Sequence, residues 1–118
     1  MRKIIRVKLS EEAEEVYDYL VKESENSKME KAILNGIKKK VELIKVNFHY
    51  GEPINKSQIP DEYKDKYGIK NLFWVELPYY WRMLYSLGPG DTQIEIIAFV
   101  LDIIDHPDYN KKFVYKKK

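Results

Sequence analysis

Three stretches rich in aromatic and aliphatic residues crowd together between Leu72 and Leu101. They run Leu72–Leu77, Tyr80–Leu87 and Gln93–Leu101, with a tight connection at Pro78 and a Gly88-Pro89-Gly90-Asp91 turn between them. A parallel crossover needs about a dozen residues or more, so connections this short dictate antiparallel neighbours. A sheet is therefore fixed near the end of the chain, and the earlier residues must be packed against it.

Those earlier residues read as one strand and two helices. In Lys3-Ile4-Ile5-Arg6-Val7-Lys8-Leu9, Ile5, Val7 and Leu9 share one face, while Ile4, Arg6 and Lys8 share the other. Ser10 caps a first helix with Glu11 and Glu12 in its first turn, where carboxylates suit the positive end of the helix dipole. Ala13, Val16, Tyr17 and Leu20 recur at helical spacing, and this helix ends near Ser24. Ser27-Lys28-Met29-Glu30 fits a capping box that opens a second helix. Met29, Ile33, Ile37, Val41, Ile44 and Phe48 give that helix a long apolar stripe. The short link predicts an antiparallel hairpin. Gly36 lies mid-helix, where it costs up to about 1 kcal/mol against Ala, and close packing on the neighbouring helix is the expected reason.

Gly51, Pro53 and Pro60 mark residues 49–60 as a loop, followed by one or two helical turns from Asp61 to Tyr67 stopped by Gly68. Asp105 and Pro107 signal a cap and first turn of a final short helix through about Phe113. The fold class expected is α+β: an N-terminal strand and helical hairpin packed on an antiparallel sheet of about four strands, with a short C-terminal helix.

The 118 residues predict one domain, 1–118, and 44% hydrophobic residues are enough for a core at this size. Cysteine is absent, which excludes disulfides and thiolate metal sites. Neither a signal peptide nor an apolar run long enough to span a bilayer is visible, so a soluble, cytoplasmic protein without a membrane partner is expected. The net charge is only +2, but it is polarised. Residues 71–105 carry Arg82 against Glu76, Asp91, Glu95, Asp102 and Asp105, a local −4. Residues 106–118 carry five lysines against Asp108, a local +4. A basic end of this kind, Lys111 and Lys112 included, can meet phosphate, and it can equally be a solvated terminus.

The residues that carry chemistry lie at the ends of the predicted strands. Arg82 is the only arginine after Arg6. On the second strand it falls on the face opposite Trp81, Met83, Tyr85 and Leu87, the predicted core set. Its planar guanidinium can grip a phosphate through two parallel hydrogen bonds, as lysine cannot. The structural alternative is a salt bridge to Glu76 or Glu95. His106 follows the third strand, and a histidine can act as acid or base near neutral pH. Asp102 and Asp105 close by would favour its cation, suited to protonating a leaving 5′-oxygen; the alternative is a turn or capping histidine. Tyr109 falls three residues after His106. It can orient a 2′-hydroxyl, stack on a base, or simply anchor the last helix. Lys56 and Lys70 are candidate cations of a cleft beside the sheet, although the mixed charges around Lys64, Lys66 and Lys70 also describe a solvated helix. His49 stands alone and reads as structural. There is no glycine-rich phosphate loop and no nucleophile elbow, and two histidines far apart with no cysteine make a zinc site improbable. No metal or cofactor is expected.

Ile59-Pro60, Tyr67-Gly68-Ile69-Lys70-Asn71-Leu72, Leu77-Pro78-Tyr79-Tyr80-Trp81-Arg82-Met83-Leu84-Tyr85 and His106-Pro107-Asp108-Tyr109 together resemble the RelE/ParE superfamily of bacterial and archaeal toxins. The likeness covers roughly the C-terminal half, and the order of strand, helical hairpin and antiparallel strands also looks like that family's fold. It implies a metal-independent endoribonuclease that cleaves mRNA on the ribosome and is neutralised by a cognate antitoxin. By resemblance, Arg82 would stabilise the scissile phosphate. Tyr109 matches the C-terminal tyrosine of RelE, and His106 the histidine of HigB-like relatives. The extra basic residue that the family carries after the third strand is replaced here by Asp102 and Asp105. The superfamily also holds ParE-like members that poison DNA gyrase without cleaving RNA. A non-catalytic module of the same fold, bound to an antitoxin or to gyrase, is therefore the alternative, and a weak homodimer through exposed tyrosines is a third expectation.

Overall fold

The computed structural model describes residues 3–114, with the side chains of Lys112 and Val114 outside the description. Strand β1 (Ile4–Leu9) leads into helices α1 (Glu11–Glu23) and α2 (Lys28–Val46). A two-residue strand β2 (Glu52–Pro53), a 3-10 turn at Lys56–Gln58 and helix α3 (Asp61–Tyr67) follow. Strands β3 (Phe73–Glu76), β4 (Arg82–Pro89) and β5 (Glu95–Ile104) then lead to helix α4 (His106–Val114).

The helix ends form where the capping chemistry places them. The Ser10 hydroxyl accepts from the Ala13 N–H at 3.0 Å and donates to the Leu101 carbonyl at 2.7 Å, so one side chain starts α1 and ties it to β5. Ser27 accepts from the Glu30 N–H at 3.4 Å, and the Glu30 carboxylate accepts from the Ser27 hydroxyl. Gly68, at φ 63°, ends α3 in the left-handed conformation that a glycine adopts without strain. Asp105 Oδ1 accepts from the Asp108 N–H at 3.0 Å and opens α4.

The sheet order is β1-β5-β4-β3-β2. The α+β class holds, but the sheet has five strands and is mixed. Strands β2 to β5 pair antiparallel, as the short turns require, whereas β1 lies parallel to β5, from Ile4 opposite Glu95 to Leu9 opposite Val100. The helical hairpin and strands β2 to β4 lie between β1 and β5 in the chain, a connection long enough for a parallel pairing.

Both faces of the sheet are covered. Ala13, Leu20, Ile33, Ile37 and Ile44 of α1 and α2 pack on Val75, Met83, Tyr85, Val100 and Ile103. On the other face Ile59, Tyr63 and Phe113 pack on Leu72, Leu84, Leu101 and Ile104. The predicted stripe of α2 is shorter than its spacing implied. Met29 is 37% exposed, and Phe48 lies beyond the helix end at Val46. Gly36 faces neither α1 nor open space. A methyl group there would stand 2.6 Å from Cδ of Pro78, so the close neighbour is the turn between β3 and β4.

Candidate functional site

Strand register brings together residues far apart in the chain. At one end of the sheet Glu76 closes β3, Arg82 opens β4 and Ile104 closes β5, with Arg82 paired to Glu76 on one side and to Ile104 on the other. His106 follows Ile104 by two residues, so it arrives beside Arg82. A bulge sets this alignment: Leu84 opposes Asp102 but Tyr85 opposes Val100, which leaves Leu101 extra. Beyond the bulge Asp102 accepts from the Tyr63 hydroxyl at 2.7 Å. Burial, then the Asp102 carboxylate, push the Tyr63 hydroxyl well above its ordinary pKa, so it remains a donor.

Arg82 is half-buried. Its guanidinium carbon lies 4.1 Å from the centre of the Trp74 ring and 4.3 Å from that of Tyr109, a cation–π contact with each of two aromatic rings. Among the described residues Arg82 makes no ion pair; Glu95 is instead paired with Arg6 and caps the turn by accepting from the Asp91 and Thr92 N–H groups at 3.0 and 3.2 Å. Arg82 lines a cavity of about 450 Å³ together with Glu76, Tyr80 and His106.

His106 and Glu76 are exposed. The His106 ring lies 6.3 Å from the Tyr80 ring, and its Nε2 is 3.2 Å from the Asn110 amide nitrogen one helical turn on. Tyr109 is placed differently. Its ring stacks on Phe113 at 4.4 Å and on Arg82, and it faces a second hollow of about 230 Å³ with Trp74, Asn55, Gln58 and Asn110. Arg82 and His106 therefore share one cavity, and Tyr109 backs the arginine from behind.

The lysines divide. Lys56 is exposed on the turn whose Asn55 and Gln58 edge the hollow at Tyr109, and Lys111 is exposed on α4 next to Asn110. Lys70 sits at the far end of β4, beside Gly88 and Pro89, away from Arg82. The Lys112 side chain and residues 115–118, which hold the rest of the basic end, lie outside the described residues. On the other side of the β5 end is an acidic cleft of about 480 Å³ lined by Glu12, Glu15, Glu62, Asp102, Asp105 and Asp108, with Lys66 paired to Glu12. Among the described residues no group of three or more His, Asp or Glu is arranged to hold a metal ion. No helix among them is long and apolar enough to cross a membrane.

The chain matches no family model, no curated protein and no solved structure. What the site can do is read from its own side chains. A clamped cation, an imidazole and a carboxylate around one hollow can bind an anion and move two protons. Sequence reasoning treated Glu76 only as a salt-bridge partner and did not single out Trp74. Both alternate on β3 with the core residues Phe73 and Val75, and that period was the signal that could have put them on the Arg82 face.

Proposed function

We propose that this protein is a metal-independent endoribonuclease acting on single-stranded RNA. The observation that carries the reading is Arg82, in contact with the rings of Trp74 and Tyr109 and with no ion pair among the described residues, in one cavity with His106 and Glu76. A guanidinium held this way loses little freedom on gripping a phosphodiester and stabilises the charge that builds on it during reaction. Glu76 takes the proton of the 2′-hydroxyl, whose oxygen forms a bond to the adjacent phosphorus. The bond from phosphorus to the 5′-oxygen breaks, and His106 gives that oxygen a proton. The products are a 2′,3′-cyclic phosphate and a 5′-hydroxyl. Tyr109 positions the guanidinium, and Lys56 and Lys111 flank the RNA backbone. The resemblance to RelE-like toxins supports ribosome-bound mRNA as the substrate, the cytoplasm as the place of action and a cognate antitoxin as the inhibitor.

One observation favours a second reading. The acidic cleft beside the site opposes an approaching polyanion, and it would suit a non-catalytic module whose partner is a protein, such as an antitoxin or gyrase.

A transcript cleavage assay with ribosomes present separates the two. Wild-type protein is expected to yield cyclic-phosphate ends, and Arg82→Ala, His106→Ala and Glu76→Gln to leave the message intact. Intact transcripts with folded wild-type protein would sink the nuclease reading and leave the binding module.

A further inference from the structure

We propose that Tyr80 is a base-stacking residue: its exposed ring is the platform on which a base of single-stranded RNA lies, next to the cavity that holds the phosphate. This rests on the reading of that cavity as an RNA site and names a contact it does not include.

Tyr80 is 74% exposed, and among the large apolar side chains described only Val46 is more so. An aromatic ring left in water forgoes a large burial gain. Its backbone is costly as well. Tyr79 and Tyr80 are consecutive residues at φ 61° and 63°, the left-handed region that bulky side chains rarely occupy. Such strain persists only where surrounding contacts over-determine it. Those contacts are present here. The Leu77 N–H donates to the Trp81 carbonyl at 2.8 Å, and the Trp81 N–H donates to the Pro78 carbonyl at 3.3 Å. The Pro78 ring is pressed against Gly36 of α2, where no side chain fits between them. Leu77 is buried in the core on one side of the turn, and Trp81 packs on that core from the other.

The turn is thus a rigid bracket that holds the Tyr80 ring out over the cavity shared with Arg82, His106 and Glu76. The His106 ring is tilted by 55° to Tyr80, so the two rings do not stack on each other. Single-stranded RNA is read by bases stacked on aromatic faces beside groups that hold the phosphates, and this end of the sheet supplies both.

The test is the affinity of catalytically silent Glu76→Gln protein for a fluorescein-labelled RNA hexanucleotide, read by anisotropy, with Tyr80 as wild type, Phe or Gly. Glycine removes the ring but accepts the left-handed turn without strain. Tyr80→Phe is expected to bind within about twofold of the parent, and Tyr80→Gly about 5- to 100-fold more weakly, the range of one base stack. Melting temperature is expected to hold or rise in Tyr80→Gly, because glycine relieves the strained backbone at φ 63°, whereas loss of a merely structural tyrosine would lower it. An abasic chain of equal length is expected to bind all three proteins alike. Equal RNA affinity for parent and Tyr80→Gly, with affinity lost in Arg82→Ala, overturns the stacking role and leaves the phosphate site standing. No binding of RNA by the parent overturns both.

Discussion

The guanidinium carbon of Arg82 lies 4.3 Å from the centre of the Tyr109 ring and 4.1 Å from that of Trp74. Two aromatic faces in contact with one cation suit a planar ion. A lysine ammonium is compact and strongly hydrated, and it has neither the plane nor the paired donors. Arg82→Lys is therefore expected to lose RNA cleavage nearly as fully as Arg82→Ala, by at least about tenfold. Initial rates on one transcript, with melting temperatures of both variants, check this. A lysine variant at wild-type rate would show that charge alone suffices.

Tyr109 separates ring from hydroxyl. If its work is to hold the guanidinium, Tyr109→Phe keeps the cleavage rate within about twofold, and Tyr109→Ala lowers it by about 3- to 30-fold, the range of a cation–π contact. Equal losses in the two variants would make the hydroxyl the working group, with a role at the 2′-hydroxyl.

Much of this arrangement can be read from the residues. The caps at Ser10, Ser27 and Asp105 are local chemistry, and each helix begins where its cap stands. Short turns fixed β3, β4 and β5 as antiparallel. The parallel seat of β1 was not legible, because strand spacing says nothing about which edge a distant strand joins. The role of Gly36 was misplaced for a similar reason: an absent side chain marks a close neighbour but does not name it. Arg82 and His106 stood out by residue type. Their meeting depends on the register of β4 against β5 and on the bulge at Leu101, which period-two patterning cannot supply. The strain at Tyr79 and Tyr80 was invisible, since no glycine announces it.

Gly36→Ala sets two effects against each other. Alanine gains up to about 1 kcal/mol of helix propensity. Its methyl group would also stand 2.6 Å from Cδ and 3.2 Å from Cγ of Pro78, a ring fixed in a turn that cannot swing aside. Overpacking of this kind costs about 1–3 kcal/mol, so the clash wins. The variant is expected to melt several degrees lower and to bind RNA more weakly, because the displaced turn carries Tyr80. A raised melting temperature would show that α2 and the turn separate freely.

Tyr85 is fully buried and its hydroxyl joins two backbone groups. It accepts from the Gly51 N–H and donates to the Phe48 carbonyl, each at 2.9 Å, and so pins the loop after α2 to the core. Burial raises its pKa, so the hydroxyl stays protonated as a donor. Tyr85→Phe leaves both backbone groups without that partner and is expected to cost about 1–3 kcal/mol, read by denaturant unfolding. A neutral result would mean that water replaces the hydroxyl, and hydrogen exchange at Gly51 would report it.

The pair formed by Glu95 and Arg6 predicts how stability depends on acid. Hydrogen bonding to Arg6 is the main cause that holds the Glu95 carboxyl below its ordinary pKa of 4.5, against the opposing effect of burial; the charge of Arg6 and the Asp91 and Thr92 N–H groups help. The same pairing raises Arg6, which stays charged throughout. A carboxyl whose folded pKa is depressed stabilises the fold fully above its unfolded value, and that contribution disappears as pH falls through the folded one. Wild type is therefore expected to melt above Glu95→Gln around neutrality, with the gap constant down to about pH 4.5 and closing below it. Glutamine can still accept from the Asp91 and Thr92 N–H groups, so the turn survives and the closing gap isolates the charge. Melting curves of both proteins across that range check the sign. A gap that persists in strong acid would assign the stabilisation to shape and hydrogen bonding, with the ion pair contributing nothing.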